Sequence, residues 1–288
     1  MRTTITLNEV DVPAFELTGA DDGPSLSLIG GVHGCEYSSI AAVIKVMREL
    51  DPQQLRGSIT AVPVVSMESF TERSPFVVPA DGKNLNRAFP GDANGTYTDR
   101  LAHDIQTKLI VPADAFIDLH GGDLVEALEP FALYANPASR DLALAMGLPY
   151  VIDYSASDAL QGMTVAGHGV IAEAGGTGQL EPAATDLLAN GVLNALRHLG
   201  MLPGQPDRPR STILTRFEWL YSTPAGFWVA DRKTGEQVRQ GDLLGDVRDL
   251  YGDTLQPIEA PADGVILFLT TSAAVKANGL LLGLGCES

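Results

Sequence analysis

Three residues of this chain have the types and spacing of an open metal site. His33 and Glu36 form His33-x-x-Glu36 directly after the apolar run at 25–30, and His120 closes Asp118-Leu-His120 just before Gly121 and Gly122. Catalytic zinc usually takes three protein ligands drawn from histidine and carboxylate and keeps a further position for water. His33, Glu36 and His120 supply that set for one Zn2+ per chain, and two histidines with one carboxylate make zinc the usual choice of metal. Such a centre activates water for hydrolysis. The plain alternative is a pair of hydrogen-bonded loop histidines beside a carboxylate drawn to a helix N-terminus. Asp118 lies on the same side of an extended strand as His120, where it either orients that histidine or is a buried structural acid.

Asn84-Leu-Asn86-Arg87-Ala-Phe-Pro-Gly91 is the second chemically loaded segment. Asn86 and Arg87 offer a neutral and a charged donor side by side, and a guanidinium fork matches a carboxylate in two parallel hydrogen bonds. They are the candidate substrate-binding residues; the alternative is a turn whose arginine pairs with a surface acid. Arg73 is a candidate second cation that polarises a scissile carbonyl, or else a solvated loop residue. Glu173 ends an apolar run before Gly175 and Gly176, where burial would raise its pKa toward the working pH and suit it to take a proton and return it. His168 is a candidate for the pocket wall, while His103 and His198 fall in helical stretches. Asp123, Glu126 and Glu129 read as a solvated or pocket-rim acidic run, with recognition of a substrate amino group as the alternative. Cys35 reads as a small buried side chain.

These residues need a scaffold that brings strand ends together. Apolar runs at 25–30, 58–65, 115–119, 131–134, 150–152 and 170–174 read as buried strands, and helical spacing fills 37–50, 97–110, 139–146 and 181–199. Alternation of the two predicts an α/β fold with a mostly parallel sheet covered on both faces, whose ligands gather at the carboxyl ends of strands. A proline-rich stretch at 201–211 changes the character of the chain, so the reading is a catalytic domain at 1–204 and an all-β, barrel-sandwich-like domain at 205–288. That tail has the punctuation of biotin- or lipoate-carrying domains without their lysine turn; Lys276 sits in an unsuitable context.

The chain of 288 residues carries 19 Lys and Arg against 36 Asp and Glu, a net charge of -17. Such a field repels phosphate backbones and anionic lipid, so neither nucleic acid nor a membrane surface is an expected partner. No run approaches the ~20 apolar residues of a membrane span. Two cysteines without framework spacing point to a reducing compartment and a cytoplasmic protein.

Together, His33-x-x-Glu36, Asn84-Leu-Asn86-Arg87 with Phe-Pro-Gly following, Asp118-Leu-His120, and Glu173 before a glycine pair resemble the succinylglutamate desuccinylase/aspartoacylase family, a branch of the zinc carboxypeptidase-like metallohydrolases. The order matches, and the likeness spans nearly the whole chain. The resemblance implies a carboxypeptidase-like mixed sheet flanked by helices, with zinc on His33, Glu36 and His120 and with Glu173 as base and acid. It further implies Asn86 and Arg87 on a substrate carboxylate, and a β domain that narrows the entrance to admit a small N-acyl amino acid. Ser66 stands where many relatives carry asparagine, and Pro75 where some carry another arginine. The expected activity is hydrolysis of a carbon–nitrogen bond other than a peptide bond. A metallocarboxypeptidase acting on short peptides and a non-catalytic zinc-binding ligand sensor are the rival readings, and a homo-oligomer is left open.

Overall fold

A computed structural model describes residues 1–156, 161–166, 168–207 and 209–287. The chain starts with a hairpin of β1 (Arg2–Leu7) and β2 (Val10–Thr18). Its turn residues Asn8 and Glu9 have φ of 44° and 65°, the left-handed geometry that suits the twist of a two-residue hairpin. There follow β3 (Asp21–Gly30), α1 (Tyr37–Glu49), β4 (Arg56–Val62), α2 (Met67–Glu72), α3 (Tyr97–Ile105), β5 (Ala115–His120), β6 (Glu126–Leu128), β7 (Phe131–Tyr134), α4 (Arg140–Ala145), β8 (Tyr150–Asp153), β9 (Val170–Glu173), α5 (Pro182–His198) and β10 (Thr212–Leu214). All of these strands except β6 form one nine-stranded sheet in the order β1-β2-β4-β3-β5-β9-β7-β8-β10.

The sheet is mixed. β3 runs parallel to β4 and β5, β5 parallel to β9, and β8 parallel to β7 and β10, while β1/β2, β2/β4 and β7/β9 are antiparallel. Burial on both faces explains why the inner strands read as unbroken apolar runs; every residue of β5 is buried. The pleat sorts side chains between two cores. Leu26, Leu28, Ile117, Leu119, Val170 and Ala172 pack on the face covered by α1, α4 and α5. Ile29, Phe116, Leu133 and Ile171 pack on the opposite face with Leu101 and Ile105 of α3. By the same alternation Asp118 and His120 share the face of Phe116, and Glu173 shares that of Ile171.

Thr212–Leu214 still belongs to the first sheet, which therefore extends beyond the proline-rich stretch. The remaining strands are β11 (Arg216–Tyr221), β12 (Gly226–Ala230), β13 (Gln237–Val238), β14 (Leu243–Arg248), β15 (Thr254–Glu259), β16 (Gly264–Thr270), β17 (Ala274–Val275) and β18 (Leu280–Cys286). They form two antiparallel sheets, β11-β18-β16-β13 and β15-β14-β12-β17, around Trp228, Leu244, Val247, Ile266 and Leu282. β6, from the middle of the first unit, adds itself to the outer side of β16, pairing Glu126 with Thr270 and Leu128 with Phe268. Among the described residues no helix is long and apolar enough to cross a membrane.

The segment that carries Asn84, Asn86 and Arg87 has little regular structure beyond a single 3-10 turn at Leu85–Arg87. Asp81 anchors it. The carboxylate accepts from Thr96 Oγ1 (2.6 Å), from Thr98 N (2.9 Å) and Oγ1 (2.5 Å), and from Lys83 N (3.2 Å), which ties the loop to the start of α3. Burial works against its charge, but these bonds prevail and hold the carboxyl down at about 2. A depressed carboxyl contributes stability above its ordinary range near 4, and that contribution is lost as pH falls through about 2. Wild type should therefore melt above Asp81→Asn at neutral pH, with the gap closing between about pH 4 and about pH 2; a gap independent of pH in thermal unfolding would contradict this role.

Candidate active site

β3 delivers the chain through Gly30 and Gly31 to His33, and α1 begins three residues later with Glu36 as its N-cap. Gly34 is needed for space, since a Cβ there would lie 2.2 Å from the Phe70 backbone nitrogen of α2. Glu36 makes no side-chain capping bond to its own helix. Its carboxylate faces the two histidines instead: Oε1 lies 2.7 Å from His33 Nδ1, and Oε2 lies 3.0 Å from His120 Nδ1 and accepts from Gly121 N at 3.1 Å. All three side chains are buried.

The far nitrogens of both rings are already engaged. His33 Nε2 lies 3.1 Å from Asn84 Oδ1, an amide oxygen that also accepts from Asn86 N. His120 Nε2 lies 2.9 Å from Asp118 Oδ2, which in turn accepts from Thr164 Oγ1 at 2.7 Å. Both acceptors require an N–H on Nε2, so a neutral ring presents the lone pair of Nδ1 toward Glu36. Ligand atoms of His33, Glu36 and His120 lie within 4.8 Å of one another. A donor set of two imidazole nitrogens and one carboxylate, each backed by a second hydrogen bond, fits zinc.

The electrostatics agree with a site built for a cation. Burial penalises charge on both rings, yet Glu36 holds His33 above its ordinary pKa, and Asp118 with Glu36 holds His120 well above. Burial equally opposes the Glu36 carboxylate, but the two histidines bring it down to about 2. Protons on the rings satisfy the same negative charge that a metal ion would.

A cavity of about 160 Å³ opens beside this cluster, lined by Asn86, Arg87, Glu173 and Tyr154 among others. Glu173 is the register partner of His120 across β9 and β5. Burial, with the Glu36 carboxylate adding to it, pushes its carboxyl up to about 8 against the pull of His120. Asn86 is buried; its amide oxygen accepts from Thr164 N at 3.0 Å, and its amide nitrogen makes no hydrogen bond among the described residues. Arg87 donates to Asn86 O at 2.7 Å and is within electrostatic reach of Glu173 and Tyr154.

Of the seven residues given metal-binding, catalytic or substrate-binding roles in the sequence, six meet at this cavity: His33, Glu36, His120, Asn86, Arg87 and Glu173. Arg73 does not join them. It ends α2 in the left-handed region at φ 53°, exposed and outside the cavity wall. His168 stacks edge-on against Phe116, at 5.3 Å between ring centroids, and lies outside the wall as well. No sequence motif marks Thr164 or Tyr154, nor the aromatic residues Phe217, Trp219 and Phe268, which reach the cavity from the C-terminal strands.

The glycine pairs after His120 and Glu173 serve close packing. A Cβ on Gly122 would lie 2.5 Å from the carbonyl oxygen of Glu126, and one on Gly176 only 2.1 Å from it. The Glu126 backbone is thereby wedged against the ends of β5 and β9, where Thr177 N donates to the same carbonyl at 2.7 Å.

The sequence profile of the succinylglutamate desuccinylase/aspartoacylase catalytic domain matches residues 22–199. The chain belongs to this family. Its relatives include the N-alpha-acetyl-L-2,4-diaminobutyric acid deacetylase of Halomonas elongata, 33% identical over 88% of this chain and 80% of that protein. Among solved structures, the product-bound ectoine utilization protein EutE (DoeB) from Ruegeria pomeroyi has the same fold, with a TM-score of 0.86 at 24% identity over 100% of this chain and 94% of that one. A succinylglutamate desuccinylase from Silicibacter sp. TM1040 superposes with a TM-score of 0.82 at 26% identity, covering 96% of this chain and 89% of that one.

For this member of the desuccinylase/aspartoacylase family the Asp118–His120 contact yields a direct test. Asp118→Asn keeps the shape but presents a weaker acceptor to Nε2, and losses of about 10- to 100-fold in metal affinity are typical when such a partner is changed. For protein loaded with zinc, competition with a chelator of known affinity should show a loss of that size; unchanged retention would separate Asp118 from the donor cluster.

Proposed function

We propose that the chain is a zinc-dependent deacylase that hydrolyses the amide bond of a small N-acyl amino acid. The observation that carries this reading is the convergence of three metal-type donors on one wall of a cavity that also holds a carboxyl of raised pKa and an arginine. His33 Nδ1, His120 Nδ1 and the Glu36 carboxylate would hold the metal. A bound zinc ion supplies Lewis acidity, polarising a carbonyl oxygen and bringing the pKa of a water from about 15.7 to about 7.

The protein's own groups account for the remaining steps. Arg87 receives the substrate carboxylate in a two-pronged hydrogen bond, and the Asn86 amide nitrogen adds a neutral donor. This fixes the amide carbonyl toward the cluster. Glu173, whose carboxyl burial raises and a cation on the neighbouring donors would lower, takes a proton from the attacking water in its ionised form and passes it to the amide nitrogen as the carbon–nitrogen bond breaks. Phe131, Leu133, Ile171 and Phe217 line the same cavity and keep bulk water away. Membership of a deacylase family supports amide hydrolysis, and the Halomonas relative makes N-acetyl amino acids the first substrates to assay. We also propose a cytoplasmic location, supported by two buried free thiols, Cys35 and Cys286.

Two measurements test the reading. Release of free amino acid from a panel of N-acyl amino acids should stop on chelation and return with one equivalent of zinc per chain; turnover that survives complete metal removal refutes it. Glu173→Gln should keep its zinc and lose about 10²- to 10⁴-fold in kcat; full activity in that variant assigns the proton transfer elsewhere.

A further inference from the structure

Once Glu36 is assigned to the metal and Glu173 to the proton, one carboxyl on the cavity wall has no task. Glu126 is 5% exposed and lines the cavity. The pleat of β6 sets its direction: Leu128, two residues on, also lines the cavity and Ala127 between them does not, so Glu126 and Leu128 project from the same side of the strand. Among the described residues the Glu126 carboxylate takes one hydrogen bond, from Asp123 N at 3.0 Å, and no ion pair. Its neighbour Asp123 is occupied by backbone donors, Phe76 N and Leu124 N.

The position is built with care. Gly122 and Gly176 make room for the Glu126 backbone, Thr177 fixes its carbonyl, and pairing with Thr270 fixes the strand. Burying a carboxyl without a cation is costly unless something else repays it. Burial, with Asp123 and Glu36 close by, pushes this carboxyl up to about 9, which an incoming positive charge would reverse. The rings of Phe268, Trp219 and Phe217 line the same cavity and stack on one another, with centroid separations of 5.3 Å and 4.5 Å between successive pairs. Aromatic faces attract cations and give an anion no hydrogen bond.

The other charges on the wall point the same way. Arg87 is the one Lys or Arg among the described residues that line the cavity. It can neutralise one carboxylate. A substrate with a second, side-chain carboxylate would find no cation left and would face Glu126.

Resting on the deacylase reading, we infer that Glu126 selects the substrate, and that this enzyme acts on N-acyl amino acids whose side chain carries a free ammonium group. Glu126 is a specificity residue: it receives the ammonium on the cavity wall while Arg87 holds the carboxylate, so the substrate is held by two charged anchors in the cavity that the metal-type donors also line.

The test uses the full-length zinc-loaded protein and two substrates of equal size, Nα-acetyl-2,4-diaminobutyrate and N-acetylnorvaline, which exchange an ammonium for a methyl group, together with N-acetylglutamate. Wild type should favour the ammonium substrate in kcat/KM by about 10-fold or more, with N-acetylglutamate poorest. Glu126→Gln still accepts from Asp123 N and should lose about 10- to 100-fold on the ammonium substrate, mainly in KM, while N-acetylnorvaline stays within about 3-fold. A wild-type preference for either of the other two substrates overturns the inference and leaves the deacylase intact. An equal loss on both substrates in Glu126→Gln also overturns it, because it marks Glu126 as merely structural. If nothing in the panel is hydrolysed, the deacylase reading fails, and calorimetric titration of free 2,4-diaminobutyrate against free norvaline decides for Glu126. Tighter binding of the diamine that disappears in Glu126→Gln supports its role, and equal binding of the two refutes it.

Discussion

The structure turns on one buried carboxylate with three claims upon it. Glu36 stands between His33 and His120 and accepts from Gly121, so it ties the exit of β3, the start of α1 and the end of β5 to one point. A charge in that position is tolerable only if it is paired on every side. Its pairing dictates much of what surrounds it. The helix gives up its N-terminal side-chain cap, the turn at Gly34 passes tightly beneath α2, and both imidazoles are turned so that Nδ1 faces inward.

A second layer makes this arrangement rigid. Asn84 and Asp118 each hold the far nitrogen of one ring, and Thr164 and Asn86 link those two acceptors into one hydrogen-bonded belt. The belt joins a loop anchored on α3 to the centre of the sheet. Fixing ring orientation before any ligand arrives removes an entropic cost that a loosely held site would incur on binding. The apolar wall beyond it has a different effect. By excluding water it raises the carboxyls of Glu173 and Glu126, so packing and acid–base chemistry have one cause here.

Much of this was legible in the sequence, for identifiable reasons. Strands buried on both faces leave unbroken apolar runs, and β3, β5, β7, β8 and β9 were found where such runs lay. The helices α1, α3, α4 and α5 kept helical spacing because one face of each packs on the sheet. The β1–β2 hairpin leaves no such signal: it forms one edge of the sheet, and its residues are mostly exposed or half-buried without a long apolar run. β6 was equally invisible, since a strand of three residues has no period, and its acidic residue reads as solvated until the partner strand is seen. At the site, the metal-type donors and Glu173 were legible because chemistry restricts their types. Arg73 fitted the same logic of charge and type, but its place at the end of α2 turns it toward solvent, and only the fold could reveal that.

The pairing of β6 with β16 bears on how such a protein can change over time. Three residues that belong by chain order to the first unit are hydrogen-bonded into the second, and three aromatic side chains of the second complete the cavity of the first. The boundary visible in the sequence is therefore no boundary for inheritance. Neither half can be exchanged with a relative's without unpicking this shared wall, and a change in the core of the β unit can reach the cavity through the strands that carry its aromatic side chains.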